Sequence, residues 1–150
     1  MQLTRLTDYS FRILIYLAAN RGRQVTVREI AANYSISRSQ MMKVANILTQ
    51  RGFVRAVRGR GGGFTLARGP AEINMGDVAR KLEGEFAVVE CFRAKGRCPI
   101  DSVCRLKPVL TRAVDAFLGE LDSATLADIV REPAEIVRLF DQSAQAAAGR

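Results

Sequence analysis

The chain has 150 residues, 48% of them hydrophobic, which suits one compact domain or two small ones around a shared core and excludes a disordered or fibrous protein. Its net charge of +8 is unevenly divided: residues 1–70 hold twelve Lys/Arg against Asp8 and Glu29, and residues 71–150 hold eleven against thirteen acids. The N-terminal half should therefore seek a polyanion, and the absence of histidine removes the commonest general base and metal ligand.

Residues 6–20 read as a helix that is apolar nearly all round, through Ile13, Leu14, Ile15, Tyr16 and Leu17. Its apolar stretch is too short for a membrane helix, which needs roughly 20 apolar residues. Asp8 ahead of it and Arg21 and Arg23 behind do not suit a secretory leader. With an odd number of cysteines as well, the expected location is cytoplasmic, with no membrane partner.

Two capping boxes follow. Thr26-Val-Arg-Glu29 opens a short helix through Tyr34, and Ser37-Arg-Ser-Gln40 opens a second through about Arg51. Only Ser35 and Ile36 separate them, which is the spacing of a helix-turn-helix. In the second helix Met41, Val44, Ala45 and Leu48 follow the core-facing period. The opposite face carries Ser39, Lys43, Asn46 and Gln50, with Arg38 and Gln40 at its N-terminal end. Such donors reach base edges and phosphates from a recognition helix.

The stretch 53–58 alternates as a strand, Gly59 to Gly63 forms a glycine-rich tip, and 64–68 returns as a second strand. A hairpin directly after a recognition helix is a wing, and Arg58 and Arg60 suit a phosphate backbone or minor groove. The glycines are not a nucleotide loop, because no Gly-Lys-Ser/Thr is present and Phe64 stands where a last glycine belongs. The expected fold is mainly α with a small β wing. A winged helix-turn-helix DNA-binding domain covers 1–69, a cysteine loop with dimerisation helices covers 70–140, and a frayed polar tail covers 141–150.

Past Gly69-Pro70, a short helix is expected over 75–82, ended by Gly84. From Leu106 a longer helix carries Leu110, Ala113, Phe117 and Leu121, widened by Val109, Val114 and Leu118. That stripe is broader than one thin domain can cover, so it suits pairing with a second copy in a symmetric dimer. Thr125-Leu-Ala-Asp128 caps another short helix, which Pro133 should interrupt.

Between the two helices lie all the cysteines, Cys91, Cys98 and Cys104, within fourteen residues. Arg93, Lys95, Arg97, Arg105 and Lys107 sit in or beside this loop and favour the thiolate forms. Gaps of six and five residues exceed those of compact zinc sites and suit a larger object such as an iron–sulfur cluster. Spacing alone leaves zinc, a thiol redox switch and simple core cysteines open. With three thiolates used and no histidine, a fourth ligand must be an oxygen donor. An enzyme is disfavoured, since no nucleophile or base constellation is visible.

The opening Met-Gln-Leu-Thr-Arg-Leu-Thr-Asp-Tyr-Ser, the wing Val57-Arg-Gly-Arg-Gly-Gly-Gly-Phe-Thr-Leu-Ala-Arg68, Val89-Glu-Cys91, Cys104-Arg-Leu-Lys-Pro-Val-Leu and the segment 125–130 together resemble the IscR/NsrR family of bacterial transcription regulators. The likeness extends over nearly the whole chain and is nearest to the nitric-oxide-sensing repressors of that family. It implies a homodimer on a palindromic double-stranded DNA operator. It further implies an iron–sulfur cluster, 4Fe–4S in preference to 2Fe–2S, on Cys91, Cys98 and Cys104, with Asp8 of the partner subunit as fourth ligand. Family members that use a histidine soon after the third cysteine have no counterpart here, where Lys107 stands. The alternative is an iron–sulfur or thiol-based redox regulator of the same family with a different signal, such as cluster-assembly status, an oxidant or a small-molecule effector.

Overall fold

The computed structural model describes residues 2–59, 61–84, 86–93, 96 and 98–148, with the side chains of 143–148 left aside. Helix α1 (Arg5–Ala19) begins at Thr4, whose hydroxyl caps it, and it lies at the centre. Ile13 and Leu14 are fully buried and Tyr16 and Leu17 nearly so, and Thr7 and Ser10 are buried on its flank. A helix buried on several sides is what its unbroken apolar run requires.

Helices α2 (Val27–Asn33) and α3 (Arg38–Gln50) form the helix-turn-helix. Thr26 and Ser37 each accept the backbone N–H three residues on, from Glu29 at 3.2 Å and Gln40 at 3.3 Å. Only this hydroxyl half of each expected capping box forms; the Glu29 carboxylate is drawn to Arg23 and Tyr16 instead. The tight turn passes through Ser35 in the left-handed region, φ 53°. As the sequence pattern requires, α3 buries Met41, Val44, Ala45 and Leu48.

The wing is an antiparallel pair, β1 (Val54–Val57) and β2 (Gly63–Leu66), in register from Val54↔Leu66 to Val57↔Gly63. Both strands are shorter than the sequence suggests. Val25 exchanges both backbone hydrogen bonds with Phe64 (3.1 and 2.8 Å), adding one further rung beside the pair. A Cβ at Gly63 would sit 2.6 Å from the Val25 carbonyl oxygen, so this close approach requires glycine.

After a 3₁₀ turn at Pro70–Glu72, α4 (Met75–Glu83) is capped by Asn74 and ends at Gly84 with φ 69°. Ile73, Met75, Val78, Leu82, Leu126 and Val130 join the same core as α1 and the helix-turn-helix, so the boundary near residue 70 divides the chain without dividing the core. Helix α5 (Leu106–Asp122) contains no buried residue. It is joined to α4 through Arg80 and Asp122, and through the Asn74 side-chain amide, which donates to the Asp122 carbonyl at 2.7 Å.

Helix α6 (Leu126–Ile129) has the complete capping box expected at Thr125 and Asp128. Pro133 then starts a helix, α7 (Pro133–Ala148), rather than merely ending one. Proline's fixed φ and missing N–H suit a first helical position. The alanine-rich end sustains the helix to Ala148 of the segment expected to be a frayed tail, whose last two residues lie outside the described ones. Phe140 of α7 packs on Tyr16 and Tyr34, with ring centroids 4.9 and 5.1 Å apart. Among the described residues, no helix is long and apolar enough to cross a membrane.

Candidate nucleic-acid interface and cysteine loop

Burying one face of α3 leaves Arg38, Ser39, Gln40 and Lys43 exposed on the other, with Asn46 and Gln50 beyond them. Arg58, just after β1, is exposed too; Arg60 lies outside the described residues. The cations of the N-terminal half divide into two sets. Arg12, Arg23 and Arg68 pair with Asp8, Glu29 and Asp77. Arg5, Arg21, Arg28, Arg38, Lys43, Arg51, Arg55 and Arg58 are exposed without a carboxylate partner among the described residues, the last six of them along α2, α3 and the wing. Positive charge left uncompensated on one contiguous stretch of structure is the electrostatic footprint of a nucleic-acid face.

A polar network sets the helix-turn-helix against α1. The Tyr16 hydroxyl donates to Glu29 Oε1 at 3.0 Å, and Asn33 Nδ2 donates to the Tyr16 oxygen at 2.9 Å. Burial, and then the Glu29 hydrogen bond, push the Tyr16 hydroxyl up to about 12. Arg23 holds Glu29 below its ordinary carboxylate value, with the Tyr16 hydroxyl acting in the same direction. Sequence reasoning missed Tyr16, Arg23 and Asn33, because nothing in their spacing signals a network assembled from two helices and a loop.

The loop before α5 makes one 3₁₀ turn at Glu90–Phe92. Cys91, Cys98 and Cys104 are free and half-buried. Cys91 opens onto a cavity of about 500 Å³ whose lining includes Phe86, Phe92, Lys107, Val114 and Asp115. The Lys107 ammonium donates to both Asp101 oxygens, at 2.7 and 2.8 Å. That bond raises its pKa, and negative charge at Cys91 and Cys104 would act in the same direction. The Asp101 N–H donates to the Cys98 carbonyl at 3.1 Å, so the turn after the second cysteine is tied through Asp101 and Lys107 to the start of α5. Among the described residues, no three His, Cys, Asp or Glu side chains stand close enough together to hold a metal ion. The donor chemistry fits a thiolate-held cluster, but the thiols are not gathered into a closed cage. Lys95 and Arg97 lie outside the described residues. Asp8 accepts from Arg12 Nε at 3.0 Å, and the Arg12 guanidinium lies 5.5 Å from the Tyr34 ring centre.

The profile of a family described as "Rrf2: Iron-dependent Transcriptional regulator" matches residues 3–132. The chain belongs to the Rrf2 family. This Rrf2 chain is 49% identical over 142 residues to the HTH-type transcriptional regulator NsrR of Bacillus subtilis, covering 93% of this chain and 97% of that one. It is 44% identical over 142 residues to the regulator of the same name from Bacillus licheniformis, covering 93% and 99%. Among solved structures it resembles CymR, described as the global cysteine regulator of B. subtilis, with a TM-score of 0.71 at 28% identity over 87% of this chain and 97% of that one. IscR of T. potens aligns with a TM-score of 0.70 at 26% identity over 88% of each. The fold is thus the mainly helical Rrf2 winged helix with its two-stranded sheet. The Rrf2 chain is a DNA-binding transcriptional regulator, not an enzyme.

Proposed function

We propose that the protein is a homodimeric repressor that binds a palindromic operator and senses nitric oxide through an iron–sulfur cluster. Cys91, Cys98 and Cys104 would hold the cluster, completed by Asp8 of the partner subunit, with 4Fe–4S the favoured form. The observation that carries the reading is the set of three free, half-buried thiols at the head of an uncovered helix, in a chain 49% identical to a regulator named NsrR. When bound, the cluster supplies iron atoms with which nitric oxide reacts.

The chain's own residues do the rest. Lys107 offsets thiolate charge at Cys91 and Cys104, while its bond to Asp101 keeps the turn after Cys98 beside α5. An oxygen-ligated corner is held less firmly than a thiolate one, because a carboxylate is the harder and weaker partner. The cysteine loop runs directly into α5, so its shape bears on how two copies meet along that helix, and with it on the spacing of two α3 helices over an operator. Exposed donors on α3 supply base contacts, and uncompensated arginines supply phosphate contacts.

Anaerobic purification followed by visible absorbance and operator binding before and after nitric oxide tests this. A brown protein that bleaches and releases DNA on exposure is expected, with alanine at Cys91, Cys98 or Cys104 removing the colour and leaving a folded dimer. A colourless protein that binds the operator fully would overturn the cluster reading and leave a thiol-based regulator of the same fold.

A further inference from the structure

Between α3 and the wing runs a groove of about 340 Å³ whose lining includes Arg28, Arg38, Met42, Val57, Gly62 and Phe64. Arg28 stands in the first turn of α2, outside the recognition helix, and would be read from sequence as part of a solvated helix face. In the structure it shares this groove with Arg38, and neither has a carboxylate partner among the described residues. Met42, with 36% of its surface exposed, presents an apolar side chain beside them.

The composition of the groove selects its occupant. Two guanidiniums are the strongest polar features, and they match phosphate oxygens in geometry and charge. The Thr26 hydroxyl accepts the Glu29 N–H as the α2 cap and has only its O–H left to offer a groove ligand. Phe64 is only 8% exposed, so the groove offers no open aromatic surface on which a base could stack. One wall is backbone: a Cβ at Gly62 would lie 2.4 Å from the Val57 carbonyl oxygen, so the wing there cannot carry a side chain. A bare backbone wall lets another backbone come close.

We propose that this groove seats the sugar-phosphate backbone of one DNA strand, with Arg28 and Arg38 as phosphate ligands and Met42 as the apolar contact with the adjoining deoxyribose. The proposal rests on the winged-helix DNA-binding reading, to which it adds Arg28 and Met42. These contacts position the duplex between its meetings with α3 and with the wing, and they carry no sequence information themselves.

The test measures binding of the full chain to an operator duplex and to a scrambled duplex over a range of salt concentrations. Arg28→Ala should weaken both by a similar factor, about 3–10-fold, and reduce the log–log salt slope by about 1. Met42→Ala should weaken both without changing the slope. A second arm places single neutral methylphosphonates along the operator. At one position the wild type should lose affinity while Arg28→Ala loses no more, which couples that phosphate to that side chain. Arg28 is exposed, so unchanged thermal unfolding should accompany these effects. If Lys43→Ala flattens the slope while Arg28→Ala leaves it unaltered and couples to no phosphate, the groove is not a phosphate seat and the docking face stands. If neither variant changes binding, the docking face itself is wrong.

Discussion

The carboxylate of Glu83, the last residue of α4, receives both donors of Thr4, the residue that caps α1. The Thr4 N–H reaches Glu83 Oε1 at 2.7 Å and the Thr4 hydroxyl reaches the same oxygen at 3.0 Å. Seventy-nine residues of chain separate the pair. Glu83 stands just before Gly84, where the chain turns with φ 69° toward the cysteine loop. One carboxylate thus fixes the start of α1 and the stem of that loop.

Glu83→Ala should cost about 1 kcal/mol, the scale of a charged hydrogen bond at a partly exposed helix cap. Amide exchange should quicken first at Thr7 and Asp8, in the first turn that the cap organises. Glu83→Gln keeps an acceptor and should recover most of the loss. Unchanged exchange in the first turn of Glu83→Ala would show that Thr4 alone holds the helix end.

On the DNA face the two kinds of contact should separate. Lys43→Ala and Arg60→Ala should weaken binding to all duplexes and flatten the salt dependence by about 1 each. Changes at Ser39 or Gln40 should instead alter which operator bases are preferred, at roughly 1–3 kcal/mol per base pair affected. Competition binding against a panel of single-base operator variants distinguishes them. Wild-type affinity and salt slope in the Lys43 and Arg60 variants would remove α3 and the wing tip from the interface.

The elements that sequence revealed are those with local physical signatures. The Thr26 and Ser37 caps, the α3 stripe from Met41 to Leu48 and the glycine-rich wing each declare themselves within a dozen residues, and each stands where expected. Tertiary pairings were not legible. Glu29 looked like half of a capping box, yet a tyrosine on α1 and an arginine in the intervening loop compete for its carboxylate more strongly than its own cap N–H. Pro133 looked like a terminator, yet the helix it starts carries Phe140 back onto Tyr16 and Tyr34. The cysteines were conspicuous by clustering, but spacing cannot say how far apart a loop holds its thiols.

Acid should expose the Glu29 network. Arg23 first, and Tyr16 after it, hold the Glu29 carboxyl below the ordinary glutamate value of about 4.5 in the folded chain. Between the two values the unfolded chain binds more protons, so this contribution is fully present above about pH 4.5 and is lost as pH falls through the folded value. Partial exposure screens the pair and keeps its worth below about 1 kcal/mol. Thermal unfolding of the wild type should therefore exceed that of Glu29→Gln at pH 6, with the gap closing toward pH 3. A gap that stays constant with pH would assign the difference to packing instead.

Helix α5 should supply the contact between subunits. Leu106 and Val109 on the helix are 60% and 49% exposed in the single chain, and Val103 just before it is 75% exposed; the helix buries no residue of its own. Apolar surface of that kind on a regulator marks an interaction site. Leu106→Glu combined with Val109→Glu should yield a folded monomer by sedimentation equilibrium, with operator affinity falling as one of two half-site contacts is lost. A variant that remains dimeric would move the interface elsewhere.

The sharpest expectation concerns Asp8. In the single chain its carboxylate accepts from Arg12 at 3.0 Å, with 45% of the side chain exposed, so it is accessible to a second partner. An acid in the first turn of a helix is favoured by the dipole alone, at about 0.3–1 kcal/mol, and that role needs no cluster. The two roles predict different things. As a helix-start acid, Asp8→Ala should lower stability slightly and leave the visible spectrum of the brown protein unchanged. As the fourth ligand, given from one subunit to the other, Asp8→Ala should alter the cluster's absorbance and resonance signals and speed its loss. Asp8→Cys should keep a cluster while changing those signals, since a thiolate replaces an oxygen at one iron. Identical spectra for wild type and Asp8→Ala, in protein with full iron content, would confine Asp8 to the helix.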